Sequence, residues 1–102
     1  MAENKTFLII NAVPNTEDIP SFQSYLSQIV GIFIKFGGSN MQRFKTMEQI
    51  MGNGGIKAIA VFEFPSAQSI KDMYASDDFN ALNELRKKAY KQEVDLMICE
   101  TL

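Results

Sequence analysis

Arg43, Glu63 and Arg86 are the residues of this chain whose types best suit chemistry on a small molecule. Two guanidinium groups beside one carboxylate can grip an organic acid through paired, geometrically matched hydrogen bonds. The same three residues can equally form a structural ion-pair network, which is how buried charges avoid the cost of desolvation. Tyr25, Tyr74 and Tyr90 add phenols able to donate a proton or a hydrogen bond, although aromatics at helical spacing more often serve a core or an interface. Cys99 lies in an extended run with no adjacent base and reads as a packed thiol. Asp77-Asp78 reads as a helix start, where acidic residues favour the dipole. The chain has no histidine, so the commonest general base and the commonest transition-metal ligand are both missing. With one cysteine besides, a zinc site is not expected and no cofactor is called for. Glycines 52, 54 and 55 precede an extended run rather than opening a helix, which is the context of a hairpin turn and not of a phosphate cradle.

Composition narrows the setting. A chain of 102 residues with 46% hydrophobic and 22% charged residues is one globular domain's worth, spanning 1–102. Its formal net charge of −2 argues against a nucleic-acid partner, which needs a concentrated basic surface. The one basic cluster, Arg86-Lys87-Lys88 with Lys91, falls at a predicted helix end, where cations complement the dipole. Apolar stretches are interrupted at Asn11, Gly31, Lys35 or Glu63 before they reach membrane-spanning length, so no membrane association is expected. No secretion signal is read after Met1, and the lone cysteine fits a reducing cytoplasm.

The elements that must position these residues follow from periodicity. Thr6 to Val13 is a nearly continuous apolar run of strand length, broken by Pro14-Asn15-Thr16. Asp18 or Ile19 caps the next element, with Pro20 in its first turn. Phe22, Leu26, Ile29, Phe33 and Phe36 then fall on one helix face, which Gly37-Gly38 terminates. Extended segments follow over Asn40 to Met51 and Ile56 to Phe64, separated by Gly52-Asn53-Gly54-Gly55. Ser66 caps a helix through Tyr74, with Ile70, Met73 and Tyr74 inward. Ser76 or Asp77 opens another, whose Phe79, Leu82, Leu85 and Ala89 make one stripe. Glu93 to Leu102 closes the chain as a strand, with Val94, Leu96 and Ile98 on one face.

The hairpin register decides where the charges go, because a one-residue slip turns every side chain to the opposite face. A two-residue loop at Asn53-Gly54 puts Arg43 and Lys45 on the face of Phe62 and Phe64. A three-residue loop ending at Gly55 pairs Lys45 across from Glu63, brings Arg43 nearby and sends Phe44 to join Phe62 and Phe64. The second segregates charge from aromatics and is the preferred reading. The order strand, helix, strand, strand, helix in two pieces, strand is the ferredoxin-like split β-α-β arrangement, an α+β fold with a four-stranded antiparallel sheet and both helices on one face. The uncovered face keeps Ile59, Val61 and Met47 in that register, which calls for a homodimer.

Phe62-Glu63-Phe64-Pro65-Ser66, Tyr74-Ala75-Ser76, Phe79-Asn80-Ala81-Leu82 and Leu85-Arg86 together resemble the bacterial family known as domain of unknown function 1330, within the dimeric α+β-barrel superfamily. Phe22, Tyr25, Phe36-Gly37-Gly38, Arg43, Glu48 and Gly52 match its upstream pattern, so the resemblance covers nearly the whole chain. Phe44-Lys45 stands where the family often has glycines, Tyr74 where it often has tryptophan, and Phe79-Asn80 where it has Tyr-Gln. The resemblance implies the barrel fold and a dimer; haem-binding relatives of the superfamily rely on a histidine that this chain lacks. Residues and resemblance together lead to a cytoplasmic homodimeric barrel binding a small polar or acidic molecule through Arg43, Glu63 and Arg86. The alternatives are a cofactor-independent oxygenase- or isomerase-like enzyme, or a purely structural or interaction module; whether the protein is an enzyme stays open.

Overall fold

A computed structural model describes residues 5–52, 57–92 and 94–102. Strand β1 (Thr6–Ala12) leads into helix α1 (Ile19–Lys35), followed by β2 (Ser39–Lys45) and β3 (Ala58–Phe64). Three helices, α2 (Ala67–Ala75), α3 (Asp77–Asn80) and α4 (Asn83–Ala89), precede the last strand β4 (Asp95–Glu100). The sheet is antiparallel throughout, in the order β2-β3-β1-β4. The fold is therefore ferredoxin-like, as expected from the element order, with the second helical region broken at Ala81 and Leu82.

Local chemistry explains the helix ends. The Asp18 carboxylate accepts from the Ser21 backbone N–H and hydroxyl at 3.2 and 2.7 Å, with Pro20 in the first turn. At the other end Gly37 takes φ of 102°, a conformation open to glycine at little cost. An added Cβ there would lie 2.8 Å from the Pro65 ring, so helix end and β3–α2 corner are fitted to each other. Ser66 caps α2 reciprocally: its hydroxyl accepts from the Ser69 N–H at 3.1 Å while the Ser69 hydroxyl accepts from the Ser66 N–H at 3.3 Å. Such a box supplies orphan donors at the helix start. Ser66→Ala is expected to lower stability by about 1 kcal/mol, roughly 4–8 °C in Tm, measured by thermal unfolding.

The pairing of the strands sorts every side chain to a face. Leu8, Ala12, Phe62 and Phe64 are buried with Tyr25, Ile29 and Phe33 of α1, Ile70 and Met73 of α2, and Phe79, Leu82 and Ala89 beyond. Phe33 meets Phe62 and Phe64 edge-on, at centroid distances of 5.0 and 6.4 Å, a favoured arrangement for aromatic quadrupoles. Even-numbered residues of β1 and β3 thus face the helices. Tyr74, expected inward, is 62% exposed: it sits off the α2 stripe of Ile70 and Met73 and leans on Phe79 instead.

The preferred hairpin register is not the one adopted. Lys45 pairs with Ala58, Phe44 with Ile59, Arg43 with Ala60 and Gln42 with Val61, while Ser39 stands opposite Glu63. Strand β2 ends at Lys45, not at Met51, and Thr46 and Lys57 close the ladder with a 3.0 Å backbone bond. Asn53, Gly54, Gly55 and Ile56, on which the expected turn rested, lie outside the described residues, as does Glu93. A bulge between Ser39 and Gln42, with Asn40 at φ 47°, adds one residue to β2 and shifts its register along β3. The parity is that of the two-residue loop, reached through a longer connection: Arg43 and Lys45 face the helices, and Phe44 faces away. Met47 is not in the sheet at all; it is 97% exposed in the connection.

Candidate functional site: the cleft under helix α1

The helix-facing floor of the sheet is not uniformly bulky. Ala12, Ala58 and Ala60 sit where β1 and β3 pass beneath α1, and their methyl groups leave space that a Leu or Phe would fill. Helix α1 lies beside α4 and α3 and meets the strands through Phe33, on Phe62 and Phe64. Between helix and floor lies a cleft of about 660 Å³, a size ordinary for a metabolite-sized ligand. Its apolar walls include Ile10, Phe22, Leu26, Ile29, Val30 and Phe33.

Among the described residues, the charged ones lining this cleft are all cations: Arg43, Lys45, Lys57 and Lys91. In a chain with 12 acidic against 10 basic side chains, four cations and no carboxylate among the described lining residues are a marked local bias. Arg43 and Lys45 are placed there by the β2 register. No ion pair engages either of them among the described residues.

Tyr25 and Tyr90 also line the cleft, with ring centroids 5.5 Å apart and edge-on. Arg86 stands behind Tyr25. Its Nε donates to the Tyr25 hydroxyl at 2.8 Å, another guanidinium nitrogen donates to the Phe79 carbonyl at 3.1 Å, and the third donates to the Asn83 side chain. The guanidinium lies 4.0 Å above the Phe79 ring centroid. Desolvation pushes the Tyr25 phenol above its ordinary pKa, with the Arg86 bond opposing. Desolvation pushes Tyr90 upward as well, reinforced by Tyr25 and opposed by Arg86. Both phenols are therefore proton-bearing donors at neutral pH.

The expected trio does not converge. Glu63 lies on the face away from the helices, opposite Ser39 and Phe7. There it accepts from Asn40 Nδ2 at 2.6 Å and pairs with Lys5 at 3.2 Å. Those bonds, Asn40 foremost, hold its carboxyl below the usual range. Arg43 is on the opposite face, and Arg86 is engaged between α1, α3 and α4. Sequence reasoning missed Lys45, Lys57 and Lys91 as companions of Arg43. The signal available was the parity of the other hairpin register, which puts Arg43 and Lys45 over the alanines of β3.

The face turned away from the helices forms a grid. Reading across β2, β3, β1 and β4, its rows are Gln42-Val61-Ile9-Met97 and Phe44-Ile59-Asn11-Asp95, with Glu63-Phe7-Cys99 at the far end. Its centre is apolar, with Glu63 and Asp95 at two opposite ends and Phe44 at the β2 edge. Phe44 and Met97 are 54% and 41% exposed. Among the described residues no helix is long and apolar enough to cross a membrane, and no cluster of His, Cys, Asp or Glu could hold a metal ion.

Solved structures place this architecture among ferredoxin-like α+β proteins. A dimeric ferredoxin-like protein of unknown function from a Jannaschia species superposes with a TM-score of 0.73 at 6% identity, covering 95% of this chain and 99% of that one. A putative antibiotic biosynthesis monooxygenase from Bordetella bronchiseptica gives 0.73 at 12% identity, covering 98% and 99%. An EthD-family protein from Bacillus halodurans gives 0.66 at 19% identity, covering 96% and 99%. At such identities the likeness is one of fold. The chain belongs to the family described as Domain of unknown function (DUF1330), whose model matches residues 5–102. No functionally curated protein matches the sequence significantly.

Proposed function

We propose that this protein is a homodimeric barrel that binds a small amphipathic organic acid in the cleft under α1 of each protomer. The observation that carries the reading is the charged lining, which among the described residues is Arg43, Lys45, Lys57 and Lys91, around otherwise apolar walls. A carboxylate held by Arg43 and Lys45 gains charge-assisted bonds, and an apolar body gains burial against Phe22, Leu26 and Phe33. The site revises the expected one: Arg43 stays in it, whereas Glu63 and Arg86 serve elsewhere. The groups at hand are cations and protonated phenols rather than a general base, so the geometry supports binding over proton abstraction. Homodimerisation is supported by the apolar centre of the open sheet face, a surface that monomers seldom leave contiguous in water.

Calorimetric titration with dodecanoate and 2-naphthoate, each against its alcohol, tests this reading. The acids are expected to bind at least tenfold more tightly than the alcohols, and Arg43→Ala with Lys45→Ala to erase that difference, about 1.4 kcal/mol or more. Equal binding of acids and alcohols, or acid preference that survives the double substitution, would refute it.

A further inference from the structure

The two phenols at the cleft wall are left with unused hydrogen-bonding capacity, which buried tyrosines rarely have. Tyr25 is 4% exposed. Its oxygen accepts from Arg86 at 2.8 Å, and its own proton has no acceptor among the described residues. Tyr90 is 7% exposed, and its hydroxyl makes no hydrogen bond among the described residues. Among the described residues, the buried side-chain polar atom sealed from solvent without a partner is Asn11 Oδ1, on the other face of the sheet. The Tyr90 oxygen, unpaired but not sealed, therefore keeps access to open space, and the space its ring lines is the cleft.

Arg86 adds direction to this pair. Its charge has no carboxylate partner among the described residues, and its Nε donates into the Tyr25 oxygen. A phenol that accepts from a cation becomes a stronger donor through its own proton. The two rings meet edge-on beside one another and both line the cleft, the Tyr25 oxygen being the one held by Arg86. Arg43 and Lys45 stand on β2, the edge strand of the sheet. The cleft thus has a cationic region on that edge and a donor region where α1 approaches Pro14 and Tyr90.

We infer that Tyr25 and Tyr90 form an acceptor-binding subsite, and that the ligand is an organic acid carrying a second oxygen acceptor, such as a keto group, along its apolar body. This deepens the proposed acid-binding reading and rests on it. The subsite selects by a penalty as well as by a bond: a ligand without the oxygen leaves two buried donors unpaired. A plain fatty acid would enter the cleft, while an oxo-acid with the carbonyl at the right position would be preferred.

The experiment is a titration series on the intact protein with dodecanoate and the positional isomers of oxododecanoate, from 4-oxo to 11-oxo. At least one isomer is expected to bind tenfold or more tightly than dodecanoate. Tyr90→Phe, which keeps the ring and removes only the hydroxyl, should reduce that advantage to less than threefold, weakening the oxo-acid and not weakening dodecanoate, which loses the penalty of the unpaired donor. Tyr25→Phe should do the same, with its thermal unfolding recorded in parallel because it also releases Arg86. If dodecanoate binds and no isomer improves on it, or if the preference persists in Tyr90→Phe, the phenol subsite is overturned and the acid-binding cleft stands. If neither dodecanoate nor any isomer binds, both readings fall together.

Discussion

Ile9→Asp is expected to convert the proposed dimer into a monomer. Ile9 stands on β1, an inner strand of the sheet, between Val61 and Met97 at the centre of the open face. In a monomer the new carboxylate reaches water, so the cost to the fold is confined to lost β-propensity and packing, about 1 kcal/mol. In a face-to-face dimer it would be desolvated against apolar side chains and brought toward its own symmetry mate. An unpaired buried charge costs about 3–5 kcal/mol, which raises the dimer dissociation constant roughly a thousandfold. Sedimentation of the wild type at micromolar concentration is expected to give a dimer, and of Ile9→Asp a folded monomer. Gln23→Asp, on the exposed side of α1, adds the same charge elsewhere and should remain dimeric. A dimer mass retained by Ile9→Asp, or a monomeric wild type, would show that this face is not the interface.

That face also shows what the sequence could and could not reveal. The nearly continuous apolar run of Thr6 to Val13 and the extended run of Ile56 to Phe64 after the glycine-rich turn were enough to assign two strands, because each has strand length and is bounded by turn residues. Helix α1 was legible end to end, since Asp18, Pro20 and Gly37 each act through local geometry. The register of β2 was not. It depends on where the ladder stops and on a bulge at Asn40, an asparagine at positive φ. A charge-pairing argument favoured Lys45 opposite Glu63. In the structure Lys5, from before β1, and Asn40, at the bulge of β2, satisfy Glu63 instead. Because β2 parity fixes which face Arg43 occupies, this single slip dispersed the expected site. The cleft itself is a matter of small residues, Ala12, Ala58 and Ala60, whose absence of bulk gives no periodic signal. Tyr25 and Arg86 are 61 positions apart in sequence, and only the packing of α4 on α1 brings them together.

Arg86→Ala is expected to destabilise the ligand-free protein by about 3 kcal/mol, which for a chain of this size lowers Tm by roughly 12–24 °C. All three nitrogens of the guanidinium donate within the protein, to Tyr25 on α1, to the Phe79 carbonyl at α3 and to Asn83 on α4. Its plane also lies on the Phe79 ring, a cation–π contact worth about 1 kcal/mol when partly desolvated. Removing the side chain leaves the Phe79 carbonyl without that donor and opens a gap beside a core aromatic. These losses accumulate because they fall on one junction, where the short helices α3 and α4 meet α1. Arg86→Lys keeps the charge but not the planar fork, and one ammonium cannot serve three acceptors in these directions. It should recover less than half of the lost stability. Thermal and urea unfolding of both variants without ligand separate the two roles that sequence reasoning left open. A residue held for an organic acid would leave the empty protein almost unchanged when removed. A Tm within 2 °C of wild type for Arg86→Ala would return Arg86 to the ligand and remove it from the frame. The expected large loss makes it the latch that sets the Tyr25 phenol against the cleft, so that the same bonds holding three helices together also fix the donor that a ligand would meet.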